Sequence, residues 1–324
     1  MEQVLALHKS TGQTGAVNTI LLPTFQIYTP LLLANKATIL STPRTEHSYG
    51  PHPRQKLDVY LPPRADTSSA PILVFYYGGG LTRGDKLSPA LPDGLVYHNL
   101  GTFFAQRGIV TVIPDYRRVN SAFGGEDAVF PSGGEDVALS LKWVEENLVG
   151  EGGEREVVTM GNSAGGVHTL TFLLEDQFQE QRGGYVQGTG KLVLKGAIQL
   201  SAPTHFGRAE DQERMDMLKV YFGELEKSKE HSALSLLQGF KDRGVKKEDV
   251  GLPKILGVVG DLDAEDEIVS TMREFQELWK ETWGEGIEEK IIPGHNHISP
   301  PWALLAGEKE GEKWGEDIAK WIKE

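Results

Sequence analysis

From residue 56 onward, short apolar runs alternate with helix-length stretches. The runs cover residues 57–61, 72–77, 109–113, 157–160, 192–200, 255–259 and 290–292. Several are unbroken Val, Ile and Leu stretches with no polar alternation. That pattern marks strands buried on both faces, as in a parallel sheet covered by helices. Between them, residues 136–148, 167–174 and 265–279 read as helices. Strand–helix alternation of this kind predicts an α/β fold around one mainly parallel sheet.

Two regions break the rhythm. Residues 1–45 carry helix-length apolar segments interrupted by prolines and predict an N-terminal helical cap segment. Within them, the stretch 20–33 contains Pro23, Gln26 and Pro30, and it is expected to be too short and too broken to span a bilayer. Residues 207–250 separate the run ending at Leu200 from the run starting at Ile255. They are charged, with Met215, Leu218 and Phe222 at helical spacing, and predict a helical excursion from the sheet. Together the two regions are expected to roof the site as a lid; surface decoration is the alternative. Residues 1–324 otherwise read as one domain.

Composition narrows the function classes. Hydrophobic residues make up 39% and charged residues 24%, which fits a folded soluble chain and not a disordered one. A net charge of −13 argues against nucleic acid or an anionic membrane as partner. There is no cysteine, so disulfides, thiolate metal sites and a cysteine nucleophile are excluded. The Met-Glu-Gln start lacks the basic region of a signal peptide, and a cytoplasmic location is expected. A small-molecule substrate is the expected partner, and a homodimer is left open.

The chemistry centres on Gly161-Asn162-Ser163-Ala164-Gly165, which follows the run 157–160 and precedes the helix-like stretch 167–174. A G-x-S-x-G pattern alone is weak. Between strand and helix it describes a sharp turn that lifts a serine hydroxyl above the sheet edge, with small neighbours to let the chain pass. The second signal is Tyr77-Gly78-Gly79-Gly80 after the run 72–77. Bare backbone N–H groups there, joined by that of Ala164, can hold the negative oxygen of a tetrahedral intermediate. A phosphate-binding loop would need the lysine and hydroxyl of G-x-x-x-x-G-K-[ST], which this loop lacks. No H-E-x-x-H pattern and no G-x-G-x-x-G after a first strand is present, so no metal and no nucleotide cofactor is expected.

Several motifs in order resemble the α/β-hydrolase superfamily, in its hormone-sensitive-lipase-like carboxylesterase branch. Leu57-Asp58-Val59-Tyr60-Leu61-Pro62 resembles the family's early strand, and Tyr77-Gly78-Gly79-Gly80 its oxyanion loop. Pro114-Asp115-Tyr116-Arg117 and Phe130-Pro131 resemble the segments before the nucleophile, and residues 161–166 the G-x-S-A-G-G elbow. The likeness covers roughly residues 46–206 and 251–300. One departure is Tyr77, where the family usually has histidine.

The resemblance implies an α/β-hydrolase fold and a triad in the order serine, acid, histidine. It selects Ser163 as nucleophile and Asp263 as acid, with Asp261 as rival; Glu265 and Asp266 are expected to start the next helix. It selects His297 as base, with His295 as runner-up. Gly79, Gly80 and Ala164 form the implied oxyanion hole. His168 is expected to pack or bond locally, His205 to line the pocket or lie in a plain loop, and Asp115 and Arg117 to brace loops. The implied reaction is hydrolysis of a carboxylic ester through an acyl-enzyme, without cofactor. Turnover is expected to fall at low pH as the base protonates. A formamide, amide or lactone is the alternative bond, since Leu57 to Pro62 and Gly294-His295-Asn296-His297 also resemble formamidase-like relatives. A non-catalytic binding protein on the same scaffold is the alternative of another class.

Overall fold

In the computed structural model, which describes every residue except 14, 64–66, 123, 151–152 and 209–210, the apolar runs pair into one eight-stranded sheet. Its strands are β1 (Arg44–Ser48), β2 (Lys56–Tyr60), β3 (Ile72–Tyr76), β4 (Val110–Pro114), β5 (Arg155–Asn162), β6 (Leu192–Leu200), β7 (Lys254–Gly260) and β8 (Glu288–Ile292). Their order across the sheet is β1-β2-β4-β3-β5-β6-β7-β8. Only β2 runs against its neighbours; β3 to β8 and β4 are parallel. Seven strands match the predicted runs to within a few residues. β1 was not predicted: Arg-Thr-Glu-His-Ser is exposed throughout and carries no apolar pattern. Polar and charged residues suit an edge strand, where they discourage pairing with another chain.

β3 shows why the central strands read as continuous apolar runs. Leu73 and Phe75 face one core, while Ile72, Val74 and Tyr76 face the other. The first core is closed by helices Leu95–Ala105 and Lys309–Lys323 and by the N-terminal helices. The second is closed by helices Ser132–Leu148, Ala164–Leu174, Ala233–Arg243 and Ser270–Trp283. The chain leaves β3 toward β4 on one side and leaves its other neighbour, β5, toward β6 on the opposite side, so the direction of the connections reverses between β3 and β5. The crevice at the carboxyl ends of such strands is where parallel sheets bind ligands.

The N-terminal region departs from expectation. Val17–Ala34 is one uninterrupted helix that runs through Pro23 and Pro30. Each proline removes the hydrogen bond to the carbonyl four residues earlier. Those carbonyls belong to Thr19 and Gln26, both exposed, so water can take the place of the missing donors. The helix is also longer than the sequence reading allowed: its 18 uncharged residues are long and apolar enough to cross a membrane. In this fold it lies along the body, held by Ile20, Thr24, Tyr28 and Leu32. The 207–250 excursion is helical as expected but divided in use. Helix Gln212–Phe222 sets Leu218, Tyr221 and Phe222 against Leu81, Val119 and Ala164 near the carboxyl ends of the strands. Helix Ala233–Arg243 instead belongs to the second core.

Two histidines are part of the packed interior. His168 is 1% exposed, edge-on to the Tyr116 ring, with no partner for either ring nitrogen among the described residues. Burial pushes its pKa down to about 3. His295, also 1% exposed, is pushed by burial to about 4. Both rings therefore stay neutral at a pH where the unfolded chain binds a proton on each. Stability falls as pH drops below the free imidazole value of about 6.5, by up to about 1.4 kcal/mol per pH unit for each ring. The loss continues until the folded values are reached. Urea unfolding at about pH 7, 6 and 5 checks this, and His168→Leu is expected to reduce the slope by about one proton.

Candidate active site

Ser163 sits between β5 and helix Ala164–Leu174 with φ 51° and ψ −117°, a strained conformation for a residue with a side chain. The elbow is held by its neighbours. The Ser163 N–H donates to the Leu200 carbonyl at 3.0 Å, and Asn162 Nδ2 donates to the same oxygen at 3.1 Å. Gly165 lies so close to β3 that a Cβ there would be 2.1 Å from the Tyr76 carbonyl oxygen. The turn therefore requires glycine at that position.

The histidine and the acid arrive on the loops after β8 and β7. His297 Nε2 lies 2.8 Å from Ser163 Oγ, and its Nδ1 lies 2.9 Å from Asp263 Oδ1. His297 is 5% exposed and the Asp263 side chain is fully buried. A buried carboxylate needs donors on its remaining lone pairs. Asp263 Oδ2 accepts from Ser201 Oγ at 2.6 Å and from the Gly260 N–H at 2.8 Å. These three bonds fix the carboxylate plane and so the face it presents to the imidazole. With Asp263 on Nδ1, the imidazole orients Nε2 to accept the serine proton.

His297 is set by the loop around it. Asn296 Oδ1 accepts the N–H groups of Ile298 and Ser299, each at 3.0 Å, and so starts helix Ser299–Ala303. Asn296 Nδ2 donates to Thr24 Oγ1 on helix Val17–Ala34 at 2.9 Å. Next to this bond, Phe25 stacks on Trp302 at 4.2 Å between ring centroids. The N-terminal helix is thus fastened to the loop that carries the histidine.

The glycine loop lies against the serine: a Cβ on Gly78 would be 3.1 Å from Ser163 Cβ. The N–H groups of Gly79, Gly80 and Ala164 donate to no acceptor among the described residues. Unspent amides in a loop that packs against the serine are the kind of donor that can receive a developing oxyanion.

Other sequence candidates fall elsewhere. His295 turns its Nδ1 to Ser299 Oγ at 3.0 Å, away from Ser163. Asp261 accepts the Gly294 N–H at 2.6 Å, bracing the histidine loop. Glu265 and Asp266 open the helical turn Glu265–Val269. His205 pairs with Glu274 at 3.0 Å, and Arg117 Nε donates to Asp136 at 3.0 Å. Sequence reading missed Ser201, Gly260, Asn296 and Thr24. Ser201 carried a faint signal, since it is the first residue after β6, one strand from the elbow. Thr24 carried none. Among the described residues, no group of three or more His, Asp or Glu side chains is arranged to hold a metal ion.

Comparison with known proteins places the chain in a family. Residues 57–242, more than half of the chain, match the sequence profile of the BD-FAE family. A probable isoprenylcysteine alpha-carbonyl methylesterase of Arabidopsis thaliana is 29% identical over 226 residues, covering 66% of this chain and 48% of that protein. A human cocaine esterase is 30% identical over 151 residues, covering 45% and 25%. The chain thus spans about half the length, or less, of these curated relatives. Among solved structures, esterase B of Lactobacillus rhamnosis superposes with a TM-score of 0.62 at 15% identity, covering 94% of this chain and 95% of that one. The carboxylesterase EstE1, cloned from a metagenomic library, gives a TM-score of 0.60 at 19% identity, covering 92% and 94%. The α/β-hydrolase fold expected from the sequence is therefore the fold observed, and the chain belongs to the BD-FAE family.

Proposed function

We propose that this protein is a serine hydrolase that cleaves carboxylic esters through an acyl-enzyme, with Ser163 as nucleophile, His297 as base and Asp263 as the acid that orients it. The observation that carries the reading is the unbroken chain of contacts from Ser163 Oγ through His297 to Asp263, at 2.8 and 2.9 Å. A serine hydroxyl is a poor nucleophile until a base takes its proton, and both distances are within reach of proton transfer. The ester relatives, as enzymes acting on carboxylic esters, favour that bond class over others.

In the first half-reaction Ser163 Oγ attacks the ester carbonyl carbon while its proton moves to His297 Nε2. The carbonyl oxygen becomes an anion and is received by the N–H groups of Gly79, Gly80 and Ala164. The imidazolium is stabilised by Asp263 and returns the proton to the leaving alkoxide. Water then repeats the sequence on the acyl-enzyme and releases the acid. Helix Gln212–Phe222 and helix Val17–Ala34 flank this site, and we assign them the roof over the bound ester.

Three outcomes test the reading. Ser163→Ala is expected to lower kcat on p-nitrophenyl acetate by about five to six orders of magnitude, and His297→Ala to a similar degree. The double variant should lose little more, because the two residues act as a unit. A fluorophosphonate probe should label the native chain at Ser163 and leave Ser163→Ala unlabelled; labelling at another residue would refute the assignment.

Asp263→Asn is expected to cost about ten-thousandfold in kcat, since the amide cannot hold the same imidazole tautomer. Ser201→Ala removes only one of the three bonds to that carboxylate and should cost about threefold to tenfold in kcat, without change in KM. Steady-state kinetics on the same ester read both. A Ser201→Ala loss as large as that of Asp263→Asn would mean the acid is placed by other means. A panel of matched ester, amide, formamide and lactone substrates ranks the bond cleaved, with the ester expected to turn over fastest.

A further inference from the structure

Three consecutive glycines bring no side chains of their own to hold their loop rigid. Donors for an oxyanion act only if they are aimed before the charge appears. Beyond its internal bonds the loop needs support at its ends, and both of its ends meet one ion pair, Asp115 with Arg54.

The first end is Tyr77, fully buried, whose Oη donates to Asp115 Oδ1 at 2.6 Å and accepts from Arg54 Nη2 at 2.9 Å. The second end is the stretch from Gly84 to Lys86. The Lys86 N–H donates to the same Asp115 Oδ1 at 2.6 Å, and Arg54 Nη2 donates to the Gly84 carbonyl at 2.5 Å. Each end is thus bonded to both Asp115 and Arg54, which themselves lie 3.5 Å apart. Asp85 and Glu126 complete the ring of charges around the guanidinium, at 2.8 and 3.5 Å.

The Tyr77 ring is fixed as firmly as its hydroxyl. It stacks between Tyr116 and Tyr97, with centroids at 4.7 and 5.6 Å, and Tyr116 Oη donates to its carbonyl at 2.9 Å. Gly84, at φ +100°, folds the loop onto this ring; a Cβ there would lie 2.6 Å from it. Inside the loop, the N–H groups of Thr82 and Arg83 donate to the Gly79 carbonyl at 3.3 and 3.0 Å. The Gly79 carbonyl is therefore committed, and its peptide plane with it.

We infer that Tyr77, locked to Asp115 and Arg54, is a positioning residue that holds the Gly78–Gly80 loop in register with Ser163. The inference rests on the ester hydrolysis proposed above, and it gives a reason for a phenol at this position. A phenol reaches the Asp115–Arg54 pair with one oxygen that both donates and accepts.

The test uses Tyr77→Phe, which keeps the ring stack and deletes the hydroxyl alone, beside Asp115→Asn as a second variant. For Tyr77→Phe, kcat on p-nitrophenyl acetate should fall about tenfold to a hundredfold with KM within about twofold. Affinity for an alkyl trifluoromethyl ketone, whose adduct with Ser163 carries the oxyanion, should fall by a matching factor. Affinity for the product acid should hold. Hydrogen exchange should quicken across residues 78–86 and stay unchanged across 161–167, and Asp115→Asn should move all readings the same way. Native-like kcat and ketone affinity in Tyr77→Phe would overturn the inference. So would an equal loss of product-acid affinity with faster exchange at the elbow, which would mark general loosening. If the native chain cleaves no ester and takes no fluorophosphonate, the ester reading fails by itself. The exchange measurement then still decides whether Tyr77 holds the loop, and unchanged exchange across 78–86 refutes it.

Discussion

The arrangement depends on one imidazole spanning a hydroxyl and a carboxylate that come from distant parts of the chain. A hydrogen bond on each side of His297, at 2.8 and 2.9 Å, tolerates little error in the placement of either neighbour. The parallel sheet meets this demand by ending β5, β7 and β8 at the same edge. Backbone ladders fix the spacing between strands far more firmly than loop contacts could, so the side chains just past the strand ends inherit that precision. What remains is local: a strained turn at 163, a carboxylate with three donors at 263, and an Asn-headed turn at 297.

Each of these local devices places a polar group out of water and then satisfies it. Asp263 would be costly to bury with only the histidine as partner, and Ser201 and the Gly260 amide offset that cost. Asp115 follows the same rule at the ends of the glycine loop. Burial raises its pKa above the ordinary carboxylate range, opposed by Arg54, by the Tyr77 hydroxyl and by the Lys86 amide. Polar networks of this type specify one geometry because any partial version leaves a group unpaired.

The parts of this picture that were legible in the sequence share a cause. Ile72 to Tyr76 is buried on both faces, so selection for apolar side chains leaves an unbroken signature. Ser163, Gly79 and Gly80 sit in motifs whose spacing is dictated by a tight turn. The rest is legible only in three dimensions. Arg44–Ser48 is an exposed edge strand with no apolar face to betray it. Pro23 and Pro30 argue against a helix unless it is known that the carbonyls they leave unbonded face outward. Asp261 and Asp263 are chemically alike two residues apart, and only the direction of the turn decides which meets the histidine. Thr24 acquires its partner from 272 residues away, a relation no local pattern encodes.

That last contact ties the N-terminal helix to the chemistry of the site. Helix Val17–Ala34, which we propose as part of the roof, grips, through Thr24 and Phe25, the same short loop that carries the base. Doorway and engine are mounted on a common bracket. A change that tilts the first thirty-odd residues would therefore retune proton transfer along with access under the proposed roof, because the segment reaches the loop of the base through Thr24 and the backbone of the acid through Gly15.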